Sequence, residues 1–336
     1  MRERSGNPSW FRRLCASLCA ALAVFAAGAA LSAAAQEAVS STDAKAYYDA
    51  MIDAQSAANQ KKVCRDLLAI VRGKDRVNTQ KLHGGAIQRE RVPGSNRVLV
   101  ATFMSRQSYE RYYRSNLDQH LPAYTLTKCL WVTVVPELKN YFIGKECPPN
   151  PKRVVKALGL NPAKSYEVVL EMYVDPNALF RPAPDPEITD HEATTSASEP
   201  GGAWAFQNDS NPFLAFNPSA TYSDYQGATP MSFRQWFAWN ATSSYAMPDP
   251  QNVSTWGAPW TRLGYTYDWG KTGGNHEGVS EFILRIDPAV AGGELTVTLV
   301  RAVDVATKGW KRYFRCDAQA AAEAAQQTTE DGDDVP

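Results

Sequence analysis

Between Tyr166 and Val174 the chain reads Tyr-Glu-Val-Val-Leu-Glu-Met-Tyr-Val, with apolar residues on both faces of an extended segment. A strand of that kind sits in the middle of a sheet and must be covered on both sides. Arg97–Met104 and Lys128–Val135 are rich in β-formers in the same way, and Pro136 stops the second. Helical spacing lies before and between them. Ser41-Thr42-Asp43 can cap a helix carrying Ala44, Tyr47, Tyr48 and Met51. Val63, Leu67, Leu68 and Val71 repeat the pattern, so a helical pair is expected at the start of the mature chain. A helix is also expected from Ser105 through Tyr109, Tyr112 and Tyr113. Another should begin at Pro151 after Asn150 and end at Gly159. Helices and strands mix without a regular βαβ rhythm. That points to an α+β fold with N-terminal helices, a mixed or antiparallel sheet, and an aromatic-rich C-terminal β-unit.

The first 35 residues read as a leader rather than as part of the fold. Arg2, Arg4, Arg12 and Arg13 precede an apolar run from Leu14, which closes on Ala33-Ala34-Ala35 before Gln36. That order matches a secretory signal peptide, and implies a periplasmic or secreted protein. Cys15 and Cys19 lie too early for lipid attachment at a cleavage site, and no later run is apolar for long enough to span a bilayer. Removing four arginines and one glutamate leaves 31 basic against 34 acidic residues, a net of −3. A balance of that sign gives no electrostatic case for nucleic acid. Cys64, Cys129, Cys147 and Cys316 remain, and an even count in an exported chain suggests disulfides. Four cysteines allow three pairings and the sequence does not choose among them. The working expectation joins Cys129 with Cys147 and Cys64 with Cys316.

Residues 36–180 read as an N-terminal α+β part. From Asp175 prolines and acids accumulate, so 181–200 reads as a linker or long surface loop. Residues 201–316 form an aromatic-rich part. There Met231, Phe233, Trp236 and Phe237 suggest one short helix. Val279–Ile286, Glu294–Val303 and Trp310–Cys316 suggest a small antiparallel sheet. Residues 317–336 read as an acidic disordered tail.

The chemistry concentrates in Pro259–Arg285. Trp260, Arg262, Tyr265, Tyr267, Asp268 and Trp269 combine aromatic faces with a charged fork and a carboxylate, a set suited to stacking and orienting a sugar or another planar ligand. The plainer reading makes the same rings the core of a β-unit. His276, Glu277 and Glu281 follow. One histidine with two carboxylates can run acid–base chemistry, with Glu281 as the acid or base and Arg262 and His276 as helpers. Gly273, Gly274 and Gly278 exclude a helix there, so this is not a two-histidine metalloprotease motif. A solvated turn is the plainer alternative. Asp185, Glu187 and Asp190, with His191 beside them, could offer oxygen ligands to calcium through their carboxylates, but the regular calcium-loop spacing is missing, so no metal is assigned. His83 and His120 are isolated. The chain carries no nucleophile elbow, phosphate loop or dinucleotide fingerprint, and no cofactor is expected.

Several pieces resemble a family of uncharacterised exported bacterial proteins: Leu130–Leu138, Leu158-Gly-Leu160, Ala178–Pro182 with Pro184–Ile188 and Asp190, Pro259–Trp269, and Gly278–Phe282. The resemblance covers roughly residues 128–285, and Pro259–Trp269 is its most specific piece. It implies a shared fold and no activity. A fainter likeness is to the ADP-ribosyltransferase fold, through Gly278-Val-Ser-Glu281-Phe-Ile-Leu. It would give Glu281 the ribose-orienting role, although the expected second acid before the strand is missing and Thr242-Ser-Ser244 matches the expected Ser-Thr-Ser poorly. Two functions follow. One is a cell-envelope module that holds a sugar, a peptide or a partner surface through 259–285. The other is an exported enzyme using Glu281 on a glycosidic or nucleotide substrate, with Asp268 or Glu277 as a second acid.

Overall fold

The computed structural model describes residues 39–61, 63–81, 83–143, 146–194, 221–223, 230–284 and 295–314. The expected leader, the expected acidic tail, Cys316 and most of 195–229 lie outside them. In chain order the helices are α1 (Ser41–Lys61), α2 (Asp75–Gln80), α3 (Arg106–Tyr112), α4 (Arg114–Asp118), α5 (Glu137–Tyr141), α6 (Pro151–Ala157), α7 (Phe233–Ser244) and α8 (Lys308–Phe314). The strands are β1 (Val63–Cys64), β2 (Val98–Met104), β3 (Ala123–Leu126), β4 (Leu130–Val134), β5 (Val168–Val174), β6 (Leu179–Phe180), β7 (Ala193–Thr194), β8 (Thr221–Ser223), β9 (Pro230–Ser232), β10 (Tyr265–Tyr267), β11 (Glu277–Ser280), β12 (Phe282–Leu284) and β13 (Leu295–Asp304).

Seven strands make one sheet in the order β3-β13-β5-β2-β4-β12-β6, every neighbouring pair antiparallel. The fold is therefore α+β on an antiparallel sheet, and β5 lies inside it as its two apolar faces require. Alternation divides the core. Val98 and Val100 of β2, with Leu170 and Met172 of β5, enter one cluster beneath Trp236 and Phe237 of α7. Leu99, Ala101 and Val169 point the other way, against Tyr47 and Met51 of α1, Tyr141 of α5, Val154 of α6 and Trp310 of α8.

Several elements follow their local signals. The Ser105 side chain accepts from Ser108 N to start α3. Asn150 accepts from Arg153 N at 2.8 Å to start α6, with Pro151 in its first turn. α1 is capped one residue earlier than expected, by Ser40 Oγ on Asp43 N at 3.0 Å. Among the described residues no helix is long and apolar enough to cross a membrane.

Three expectations give way to tertiary contacts. The second helix of the opening pair does not form. β1 pairs with β7, and the next residues spend their N–H groups on distant partners: Leu67 on His191 O (3.2 Å), Leu68 on Ser280 Oγ (2.9 Å) and Ile70 on Ile188 O (2.6 Å). The expected sheet of Val279–Ile286, Glu294–Val303 and Trp310–Cys316 does not form as such: β11 pairs with β10, and the other strands join the large sheet. β12 pairs with β4 and β6, β13 pairs with β3 and β5, and Trp310–Phe314 is helical because Trp310, Tyr313 and Phe314 bury one helical stripe. Nor does the first part of the expected 181–200 loop lie on the surface, since Arg181 to Pro186 are all buried, while 195–200 lie outside the described residues. One expected cysteine pairing is also absent. Cys129 belongs to the cluster under α7 and Cys147 packs on the opposite one, so the expected bond between them does not form. Cys64 lies in a third cluster with Leu67, Ala183, Ala193, Leu263 and Tyr265.

Candidate functional site

The 259–285 segment is a folded turn wedged between the sheet and α1. Thr261 Oγ1 donates to Tyr265 O at 2.7 Å, and Leu263 N donates back to Thr261 Oγ1 at 3.2 Å. Arg262 (φ 59°) and Gly264 (φ 74°) take left-handed backbone to close that loop. β10 then pairs with β11, while Gly273 and Gly274, both left-handed, turn the chain between them.

The rings of this segment are core. Trp260, Tyr265, Tyr267 and Trp269 are each 4–6 % exposed. Trp260 packs on Phe237 (4.9 Å), Trp131 (6.0 Å) and Trp236 (6.3 Å). Trp269 meets the edge of Tyr47 and donates its indole N–H to Leu160 O at 3.1 Å. Tyr267 gives its hydroxyl to Asp53 at 2.6 Å. An open aromatic platform is thus replaced by rings that fill the space between helices and sheet, where their large apolar area is worth most.

The polar groups expected beside them separate into distinct environments. Asp268 is fully buried. It takes both terminal nitrogens of Arg153, at 2.9 and 2.6 Å, together with the Tyr141 hydroxyl and Gly270 N. Burial alone would raise its carboxyl, but the Arg153 and Tyr141 hydrogen bonds outweigh it and hold the group below the usual aspartate value. His276 lies flat on Tyr267, with ring centroids 4.8 Å apart, and its Nδ1 is 2.9 Å from Asp268 O. Arg262 sends Nη2 to Gln55 O at 2.6 Å and its guanidinium covers the Tyr245 ring. Glu281 joins β11 to β12. Its N–H donates to Gly264 O at 2.9 Å and its carboxyl is sealed inside. Burial raises that carboxyl well above the usual range, which the facing Trp260 indole offsets only in part, and Oε1 makes no hydrogen bond. Glu281 and Arg262 both face Tyr245, but His276 is not with them.

The acidic loop before this segment also turns inward, around a cation. Arg181 is fully buried and donates to Glu192 O (2.6 Å), Asp190 O (2.9 Å) and Leu68 O (3.1 Å). Glu187 holds Thr189 N at 2.6 Å, and Asp190 holds Glu192 N at 2.8 Å. The arginine therefore occupies the place where a calcium ion was conceivable. Among the described residues no group of three His, Cys, Asp or Glu side chains could hold a metal.

Among the described residues one shallow recess, with room for about one water-sized group, is lined by Cys64, Asp66, Leu67, Glu137, Tyr265, Glu277, Gly278 and Ser280. Half of that lining comes from the 259–285 segment. Glu137, the first residue of α5, forms part of the wall; it is 2 % exposed. Its Oε1 accepts both Ser280 N and Ser280 Oγ at 2.9 Å, while Oε2 makes no hydrogen bond. Burial pushes this carboxyl up to about 8, against the lowering effect of Ser280 and of the Arg181 charge. Glu277, also buried, receives Asn275 Nδ2 on Oε2 at 2.9 Å, and Asp66 stands exposed at the rim. No local pattern marks Glu137, Asp66 or Cys64 in the sequence, because they reach Ser280 only through the fold. No protein-family model, curated protein or solved structure matches the chain, so the site rests on its own geometry.

Proposed function

We propose that the chain is exported and works as a binding module of the cell envelope, holding a small polar ligand or the polar edge of an envelope partner. The observation that carries this reading is the recess, because there the 259–285 segment turns Tyr265, Glu277 and Ser280 toward an opening. The leader-like first 35 residues support export to the periplasm or beyond. The resemblance to exported bacterial proteins agrees with that and adds no chemistry. The enzyme reading through Glu281 has less support. An acid must reach the proton it transfers, and this one is enclosed by Trp260 and Tyr245.

The test combines location with ligand capture. The expressed protein should fractionate with the periplasm or medium, with an N-terminus at Gln36. A thermal-shift screen of sugars, nucleotides, amines and short peptides should yield at least one saturable rise in melting temperature. A cytosolic, uncut chain removes the export claim. Hydrolysis of a glycosidic or nucleotide substrate that disappears in Glu281→Gln replaces the binding module with the enzyme.

A further inference from the structure

We propose that the recess at Glu137 binds a primary ammonium group carried on a small ligand; this rests on the binding-module reading and names its ligand class. The first argument is charge. Three of the eight lining residues carry carboxyl groups, Asp66, Glu137 and Glu277, and none is lysine or arginine. Such a wall disfavours phosphates and carboxylates and draws a cation as Glu137 ionises, while Asp66 at the rim already pairs with Lys81 at 3.8 Å. The second is an acceptor left over. Glu137 is 2 % exposed with Oε2 lacking a hydrogen bond, and buried polar atoms of this kind are otherwise matched. The third is size. The recess has room for only about one water-sized group, so it suits a head group with its carrier outside.

An ammonium fits these conditions better than the other cations. It offers three donors and no acceptor, which a wall of carboxyl, hydroxyl and backbone oxygens can take up. A divalent metal lacks the ligand set among the described residues. A quaternary ammonium has no N–H to give Oε2. Ser280 completes the arrangement by fixing Glu137 Oε1 with two donors, so Oε2 is held in one place. Since a cation at Oε2 favours the ionised carboxyl, binding should drive the Glu137 proton out to solvent.

The experiment is calorimetric titration of the mature protein at pH 7 with methylamine, ethanolamine and a lysine-containing tripeptide. Methanol, ethylene glycol and tetramethylammonium are the matched controls. Runs in two buffers of different ionisation heat count the protons released. The expected result is saturable binding of the amines alone, with a proton released per site. Glu137→Gln keeps an oxygen for Ser280, and should weaken binding at least tenfold and abolish the release. Asp66→Asn, at the exposed rim, should weaken it several-fold with the melt unchanged. Equal binding of amines and alcohols, or unaltered amine affinity in Glu137→Gln, overturns the inference. If sugars or peptides without amines raise the melting temperature while no amine does, the ammonium site is wrong and the binding module stands.

Discussion

Ser280 gives both its backbone N–H and its hydroxyl to a single oxygen of Glu137, each at 2.9 Å, and its Oγ receives Leu68 N at 2.9 Å. Three chain segments far apart in sequence are joined at that point: the stretch after β1, the start of α5, and β11. Ser280 is fully committed by these bonds, so it serves as a strut rather than a nucleophile.

The carboxyl on that strut makes stability depend on pH. Folding lifts Glu137 from an ordinary 4.5 to about 8, because burial disfavours its charge. The folded state therefore holds a proton that the unfolded state gives up. The contribution is fully present below about pH 4.5 and is lost as pH rises toward 8. Glu137→Gln should remove this loss. Near pH 8 the variant should be more stable than the parent by about 1–3 kcal/mol, at roughly 1.4 kcal/mol per pH unit of the window less relaxation, and by much less at pH 4.5. Urea melts at the two pH values check it. A constant difference between them would mean that Glu137 does not titrate in this window.

Arg181 is the second buried junction, and Gly264 rests against it. Arg181→Met deletes a guanidinium that satisfies three main-chain carbonyls, and should cost about 3 kcal/mol in denaturant unfolding. Arg181→Lys should recover little of this, since one ammonium cannot reproduce the fork. A Cβ at Gly264 would come within 2.6 Å of Arg181 Cδ, and the residue's φ is +74°. Gly264→Ala should then destabilise by about 1–3 kcal/mol from crowding and backbone strain together. Combined with Arg181→Ala, which removes both crowding carbons, Gly264→Ala should lose most of the crowding part while the strain persists, giving a coupling that a double-mutant cycle measures. Simple additivity would show that the Arg181 side chain is not what crowds this position.

The sheet was readable because its inner strands carry their pattern locally. The two apolar faces of Val168–Val174 and the stop at Pro136 needed no knowledge of partners. Helix starts at Ser105 and Asn150 were equally local, since a cap is a short-range hydrogen bond. Val63–Val71 misled because a 3.6-residue apolar spacing also suits an irregular strip whose backbone is bonded by distant groups. Trp310–Phe314 misled because a short aromatic run fits strand and helix alike. The ring-rich turn from Pro259 stands out by composition, yet its rings face inward. Composition records which side chains gather and not which way an opening lies. Glu137 carried no signal, because its environment is made by Ser280, more than a hundred residues later.

Trp260 tests whether those rings are scaffold. It meets Trp131, Trp236 and Phe237, drawn from β4 and α7, and is 4 % exposed. Trp260→Ala should cost about 3–5 kcal/mol by leaving a large cavity. Trp260→Phe should cost distinctly less, and near-ultraviolet dichroism should weaken in both. An alanine variant with the parental melting temperature would mean that the indole is not part of the core.

Asp268 and Arg153 carry the converse pH signature to Glu137. Burial would raise the Asp268 carboxyl, but Arg153 and Tyr141 bring it below the ordinary 3.8. Its stabilising contribution is therefore present above about pH 3.8 and lost as pH falls through the folded value. Asp268→Asn keeps the shape while leaving Arg153, whose side chain is 13 % exposed, without its buried carboxylate. The variant should lose about 3–5 kcal/mol at pH 7, since a buried pair broken on one side leaves an uncompensated charge. Replacing Arg153 by methionine in the same chain should restore part of that loss. As pH falls below 4 the parent should approach the variant, because protonated Asp268 then resembles asparagine. Melts from pH 2.5 to 7 on the three proteins check this. Parallel curves for parent and variant would place the acid sensitivity of the fold elsewhere than at this pair.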